Sequence, residues 1–178
     1  HWLNGRLGGT SLAGLVRALF ADWGLADPEI AGLDTVIDGI AIEAPATLRS
    51  VLAPLGEAFG FVGIDAGTHV RFADRGGRLA ATIAEAESVD TADAEGVLVS
   101  VVREQASELP IELRISYRDT LKDFSASTAL SRRLVGASRQ VADLALPAAL
   151  WDGLAGQAAD RRLHARWAER TRASFALP

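Results

Sequence analysis

Apolar residues recur at helical spacing over residues 10–24, where Leu12, Leu15, Val16, Leu19, Phe20 and Trp23 fall on one face. Thr10 or Ser11 can accept from the free N–H groups of the first turn, and Gly24 suits the end. Beyond Asp27-Pro28, residues 36–42 read as a short strand. Pro45 predicts the start of a second helix, with Leu48, Val51, Leu52, Leu55 and Phe59 spaced for burial and Gly60 at its end. Pro54 falls inside that helix and is expected to kink it. The period then changes to two. Residues 61–66 and 69–74 flank Gly67-Thr68 as a hairpin, closed by Arg75-Gly76-Gly77.

An acidic, alanine-rich stretch follows over residues 84–95, with Glu85, Glu87, Asp90, Asp93 and Glu95. It reads as a solvated linker and predicts a boundary near residue 83. Val97, Val99 and Val101 alternate as in a strand. Ile111, Leu113, Ile115 and Tyr117 alternate with Glu112, Arg114, Ser116 and Arg118, the pattern of a strand with one wet face. Further strands are expected within 125–134 and over 140–146, before Pro147. A long helix is predicted over 152–172, with Trp151, Ala155, Ala159, Leu163 and Trp167 as its buried row and a return strand near Phe175 and Leu177. Asp152 lies at its positive end and arginines gather toward its negative end. The expectation is an α+β fold in two subdomains. Residues 1–83 would form helix–strand–helix–hairpin, and residues 84–178 a β-rich unit with a terminal helix.

Composition narrows the class. About half of the 178 residues are hydrophobic, enough for a substantial core. No apolar run approaches the ~18 residues of a membrane-spanning helix, and the first residues lack a basic-then-apolar signal pattern. With no cysteine, disulfides and thiolate metal sites are excluded. The absence of methionine is expected if the chain is a segment of a longer polypeptide. Net charge is −5, against a general nucleic-acid binder. Charge is uneven: residues 130–178 carry eight arginines against four carboxylates, or +4, leaving −9 on the rest.

No constellation of catalytic type emerges. His1, His69 and His164 fall at a chain end, in a hairpin strand and on the last helix, without a second ligand at metal-binding spacing. No G-x-S-x-G is present, and Leu7-Gly8-Gly9-Thr10-Ser11 lacks the second glycine and lysine of a phosphate-binding loop. Asp119 with Asp123, or Asp90 with Asp93, could pair as carboxylates, but sequence spacing says nothing of their separation. No cofactor and no enzymatic activity are expected. A solute- or glycan-binding module is the alternative, and it would expose clustered tryptophans; Trp23, Trp151 and Trp167 instead fall on helical rows expected to be buried. One feature exceeds background. Arg162, Arg166 and Arg170 stand at i, i+4 and i+8, a spacing at which like charges repel. They are the candidate subunit interface, meeting an acidic surface either in residues 85–112 of the same chain or on a neighbour.

Several stretches carry a family likeness: Trp2-Leu3-Asn4-Gly5-Arg6-Leu7-Gly8-Gly9, Val36-Ile37-Asp38-Gly39-Ile40-Ala41-Ile42, Leu55-Gly56-Glu57-Ala58-Phe59-Gly60-Phe61, Ile115-Ser116-Tyr117-Arg118-Asp119 and Trp167-Ala168-Glu169-Arg170. In this order the chain resembles the hub, or megatron, protein of gene transfer agents and related siphophage tails. The resemblance implies a structural component of the baseplate hub at the tail tip, linking the tail tube to cell-contacting parts. It implies a ring of copies, expected to be a trimer, and neighbouring tail and baseplate proteins as partners. Assembly would occur in a particle made in the bacterial cytoplasm, without direct nucleic-acid or membrane binding by this segment. It carries no catalytic residues to this region.

Overall fold

Ser11 begins the first ordered turn: its Oγ accepts from the Gly14 N–H at 3.1 Å, and helix α1 (Leu12–Asp22) follows. In the computed structural model residues 8–76, 82, 99–136 and 138–175 are described. Leu12, Leu15, Val16, Leu19 and Phe20 of α1 are buried, as their spacing predicts, and Trp23 is half-buried behind them. Short strands lead on: β1 (Thr10–Ser11), β2 (Glu29–Ala31), β3 (Val36–Ile37) and β4 (Gly39–Ile40). The strand expected over 36–42 is thus broken in two, because its halves serve different partners. β3 pairs with β1, and β4 pairs with a strand more than a hundred residues away.

Helix α2 (Leu48–Phe59) starts three residues later than Pro45 predicts, since Thr47 is the residue whose hydroxyl accepts from the Ser50 N–H. Pro54 lies within a continuous helix, and Gly60 ends it in the left-handed conformation (φ 75°). The hairpin is as expected. β5 (Phe61–Asp65) and β6 (Val70–Asp74) pair antiparallel around a turn held by Asp65 Oδ1 accepting from the Gly67 N–H at 2.8 Å. β2, which the sequence did not disclose, pairs parallel to β6 on its other side, so β5 is an edge strand.

The acidic stretch 84–95, with Val97 and the expected boundary near 83, lies outside the described residues, as do His1, Trp2 and Leu177. Beyond it come β7 (Val99–Arg103), β8 (Pro110–Asp119), β9 (Ser125–Arg132) and β10 (Gln140–Leu150). β8 keeps Leu113, Ile115 and Tyr117 inside and Arg114 and Ser116 outside, but Glu112 departs from the wet-face expectation. It is buried because Arg114 meets its carboxylate at 2.7 Å, with Arg132 nearby at 3.9 Å. β10 runs through Pro147 rather than stopping before it. The pairing with β8 shifts register between Ala145 and Ala149, so the missing proline N–H falls where the ladder is already interrupted. The Pro147 carbonyl is used instead by the Ala41 N–H at 2.8 Å.

The main sheet has the order β4-β10-β8-β9, with β10 parallel to β8 and β9 antiparallel to it. Helix α3 (Asp152–Ala168) lies against β8 and β9, and α2 lies against β10 and α3. Ala155, Ala159, Leu163 and Trp167 are buried as predicted, but Trp151 is 45% exposed because it sits ahead of the helix with extended backbone (φ −83°, ψ 151°). The helix also stops earlier than residue 172. Strand β11 (Thr171–Phe175) takes up those residues by pairing antiparallel with β7. The fold is α+β and rich in strands. The two expected halves share the main sheet through β4, and one cluster of buried side chains runs from Leu12 to Trp167.

Candidate interface surfaces

The arginine row divides once the helix end is fixed. Arg162 and Arg166 are on α3, whereas Arg170 lies in the turn after it, so the i+8 member is off the helix. Arg162 is largely buried. Its Nε and Nη2 donate to Glu57 Oε1 of α2 at 3.1 and 2.8 Å, and its Nη1 faces Glu169 at 3.7 Å. Arg166 donates to Glu104 Oε1 at 2.5 Å, and the guanidinium holds that carboxyl below the usual carboxylate range. Arg170 contributes its carbonyl, which accepts from the Glu104 N–H at 2.9 Å and opens the β7–β11 ribbon. Two of the three arginines therefore brace α3 to α2 and to the segment before β8. Glu104 belongs to the acidic stretch 85–112 named from the sequence, while Glu57 was missed. Glu57 lies 105 residues from Arg162 in the sequence, and a contact of that range leaves no periodic trace.

The end of the helix is pinned by Trp167. Its Nε1 donates to the Pro110 carbonyl at 2.7 Å, and the Arg133 guanidinium lies 4.2 Å above its ring. The loop between β9 and β10 crosses here, held also by Ser138, whose hydroxyl donates to the Leu109 carbonyl and accepts from the Gln140 N–H.

At the other end of β8 the polar groups are equally committed. Asp119 is buried; its Oδ1 accepts from the Leu121 N–H at 3.0 Å and its Oδ2 meets Lys122 Nζ at 2.8 Å, which together hold its carboxyl down. Asp123 has left-handed backbone (φ 52°) in the following turn and makes no carboxylate pair with Asp119 among the described residues. Tyr117 donates to Asp152 Oδ1 at 2.9 Å, tying β8 to the start of α3, and burial pushes its phenol up. His69 Nε2 lies 3.0 Å from Glu29, and His164 is exposed on α3. Among the described residues no three metal-ligating side chains gather. Trp23, Trp151 and Trp167 lie at the end of α1, before α3 and at the end of α3, and do not form an aromatic patch.

Several large apolar side chains are left outward. The β7–β11 ribbon is exposed along its whole length, and cross-strand pairing sets Val99 beside Phe175 and Val101 beside Ala173 on one face. Val101 and Val102 are 62% and 66% exposed. A two-stranded ribbon of this kind has little stability of its own in water. Leu134 and Val135 project from the β9–β10 loop, and Leu121 and Phe124 from the β8–β9 turn. A second feature is an open groove of about 990 Å³ between α2 and the edge strand β5.

The family model described as "Putative phage tail protein" matches residues 47–178. Among solved structures, a chain of the "Virion of native gene transfer agent (GTA) particle" superposes with a TM-score of 0.86 at 27% sequence identity, over 100% of this chain and 40% of that one. The chain thus spans about two fifths of the length of that virion chain. No curated protein matches the sequence.

Proposed function

We propose a place at the tail tip for this chain, which belongs to the phage tail protein family. As a member of that family it is a tail component of a phage-like particle. In our reading it is a structural part of the baseplate hub and not an enzyme. It forms a ring of copies, a trimer, between the tail tube and the parts that touch the cell, in a particle assembled in the bacterial cytoplasm. The observation that carries this reading is its likeness, over its whole length, to a chain of a gene transfer agent virion. The exposed faces support it. A side chain such as Val101 on a bare ribbon is costly in a free monomer and natural on a surface that meets another subunit. Polar groups that might do chemistry, such as Asp119 and Glu104, are instead spent on internal braces.

Antibodies raised against the chain test the position by negative-stain imaging of particles. Label at the tail end far from the capsid is expected; label along the tube or on the head would rule out the hub. Chemical cross-linking of intact particles should give a band at three times the parent chain's mass. A ladder ending at another number would remove the trimer but leave the tip position standing.

A further inference from the structure

The sheet β2-β6-β5 ends on a strand whose outer edge is open. The Arg75 N–H donates to the Gly60 carbonyl and the Ala66 N–H to the His69 carbonyl, which fixes the alternation of the β5–β6 ladder between them. By that alternation Val62 and Ile64 bond inward to β6, while Phe61, Gly63 and Asp65 turn their N–H and C=O groups outward. Helix α2 covers the Phe61 end, where the close approach of Gly56 to the Phe61 carbonyl leaves room for no fourth strand. From Gly63 to Asp65 the edge borders the open groove. Its floor is apolar, with Leu52, Phe61 and Phe72. No proline, no lysine and no bulge protects β5, and its one charged side chain, Asp65, is turned to the Gly67 N–H. Gly63 carries no side chain that would block an approaching backbone.

The charges around the groove choose the guest. Arg49 stands in the first turn of α2, a turn without any acidic residue, and Arg75 stands at the opposite end, just after β6. Neither has a carboxylate partner among the described residues. The two carboxylates of the lining are already engaged, Glu57 by Arg162 and Asp65 by the turn at Gly67. We propose that this groove docks an extended acidic segment of a neighbouring tail protein, which adds as a further strand to the Gly63–Asp65 edge. Its backbone bonds to the outward groups of Gly63 and Asp65, its apolar side chains lie on Leu52 and Phe72, and its carboxylates meet Arg49 and Arg75. The inference rests on the reading of the chain as a component of an assembled tail, but its test needs no particle.

A synthetic six-residue peptide of alternating aspartate and valine is titrated into the 178-residue chain, with the lysine–valine counterpart as comparison, and amide NMR signals are followed. The expected result is saturable shifts at Gly63 and Asp65 and slowed hydrogen exchange of both amides with the aspartate peptide only. Gly63→Pro removes an outward N–H and should abolish the shifts; if that variant does not fold, Arg49→Glu with Arg75→Glu decides. The double reversal should weaken the aspartate peptide at least tenfold and make the lysine peptide the better ligand. Equal binding of both peptides, shifts confined to β7 and β11, or no shift at millimolar peptide would each overturn the proposal. So would self-association of the free chain that Gly63→Pro abolishes, because the occupant would then be a second copy.

Discussion

Trp167→Phe is the substitution whose outcome the structure specifies most closely. The phenyl ring keeps most of the buried apolar surface but loses the indole N–H, so the Pro110 carbonyl is left without its donor. A net hydrogen bond is worth about 1 kcal/mol, and because the Pro110 carbonyl is only half-buried the loss stays toward the lower end of ~1–3 kcal/mol. The Arg133 guanidinium also loses the larger indole face, worth roughly 0.5–1 kcal/mol. That contact matters because the Arg133 Nε is buried without a hydrogen-bond partner among the described residues. Together these predict a loss of about 2 kcal/mol for Trp167→Phe and, with the cavity added, about 4–6 kcal/mol for Trp167→Ala. For a chain of this length 1 kcal/mol moves the melting temperature by roughly 2–4 °C, so the phenylalanine variant should melt about 4–8 °C lower. Urea unfolding followed by far-ultraviolet circular dichroism gives the free energies without relying on the altered fluorophore. A cycle with Arg133→Met should return a coupling of about 0.5–1 kcal/mol. A Trp167→Phe variant within about 0.5 kcal/mol of the parent would refute the placement of the indole against Pro110.

Three further outcomes follow from the internal braces. Arg162→Glu should destabilise the isolated chain by about 1 kcal/mol or more, since it loses Glu57 and sets a like charge beside Glu169, and adding Arg166→Glu should lower the melting temperature further; an unchanged melt would return both arginines to a subunit interface. Glu104 and Asp119 have folded-state pKa values held below the ordinary carboxylate range, so the unfolded chain takes up their protons first. Their contribution is complete above about pH 5 and is lost as pH falls below it; melting temperatures taken from about pH 5 to pH 2.5 should fall, less steeply in Glu104→Gln with Asp119→Asn. Gly56→Ala would place a Cβ 3.0 Å from the Phe61 carbonyl and 3.4 Å from its ring, and should cost about 1–3 kcal/mol in the same urea assay, whereas Gly8→Ala, with open space around it, should cost little.

Periodicity made the helices and the hairpin readable, because each is specified by residues three or four apart, or by two strands joined through one turn. Leu12 to Phe20 and Val51 to Phe59 occupy the faces their spacing assigns. Long-range pairing is where the reading failed. The break between Ile37 and Gly39 is set by partners at Thr10 and Ala149, the passage of β10 through Pro147 by a register shift against β8, and the early end of α3 by β7. Trp151 had the right spacing for the buried row but falls one residue before the helix, so its side chain leaves the face that Ala155 shares. The arginine row was visible as a run of like charge. That its first two members turn inward could be seen only once Glu57 and Glu104 were placed beside them.

The parallel joining of β10 to β8, with β4 on its far side, has a consequence for how the chain is made. Gly39 waits for Ala149, a partner about 110 residues later in the sequence. At roughly 5–20 residues per second, that interval on the ribosome is about 5–20 s. Late in that interval, once Arg132 has been made, β8 and β9 can pair as a hairpin, but the central slot between β4 and β8 still stands empty and its two flanking edges are bare. Entry of β10 into that slot is then a late, non-local closing step, of the kind that slows folding. A nascent chain held before Leu150 would be a half-closed sheet, open to any strand that reached the gap first.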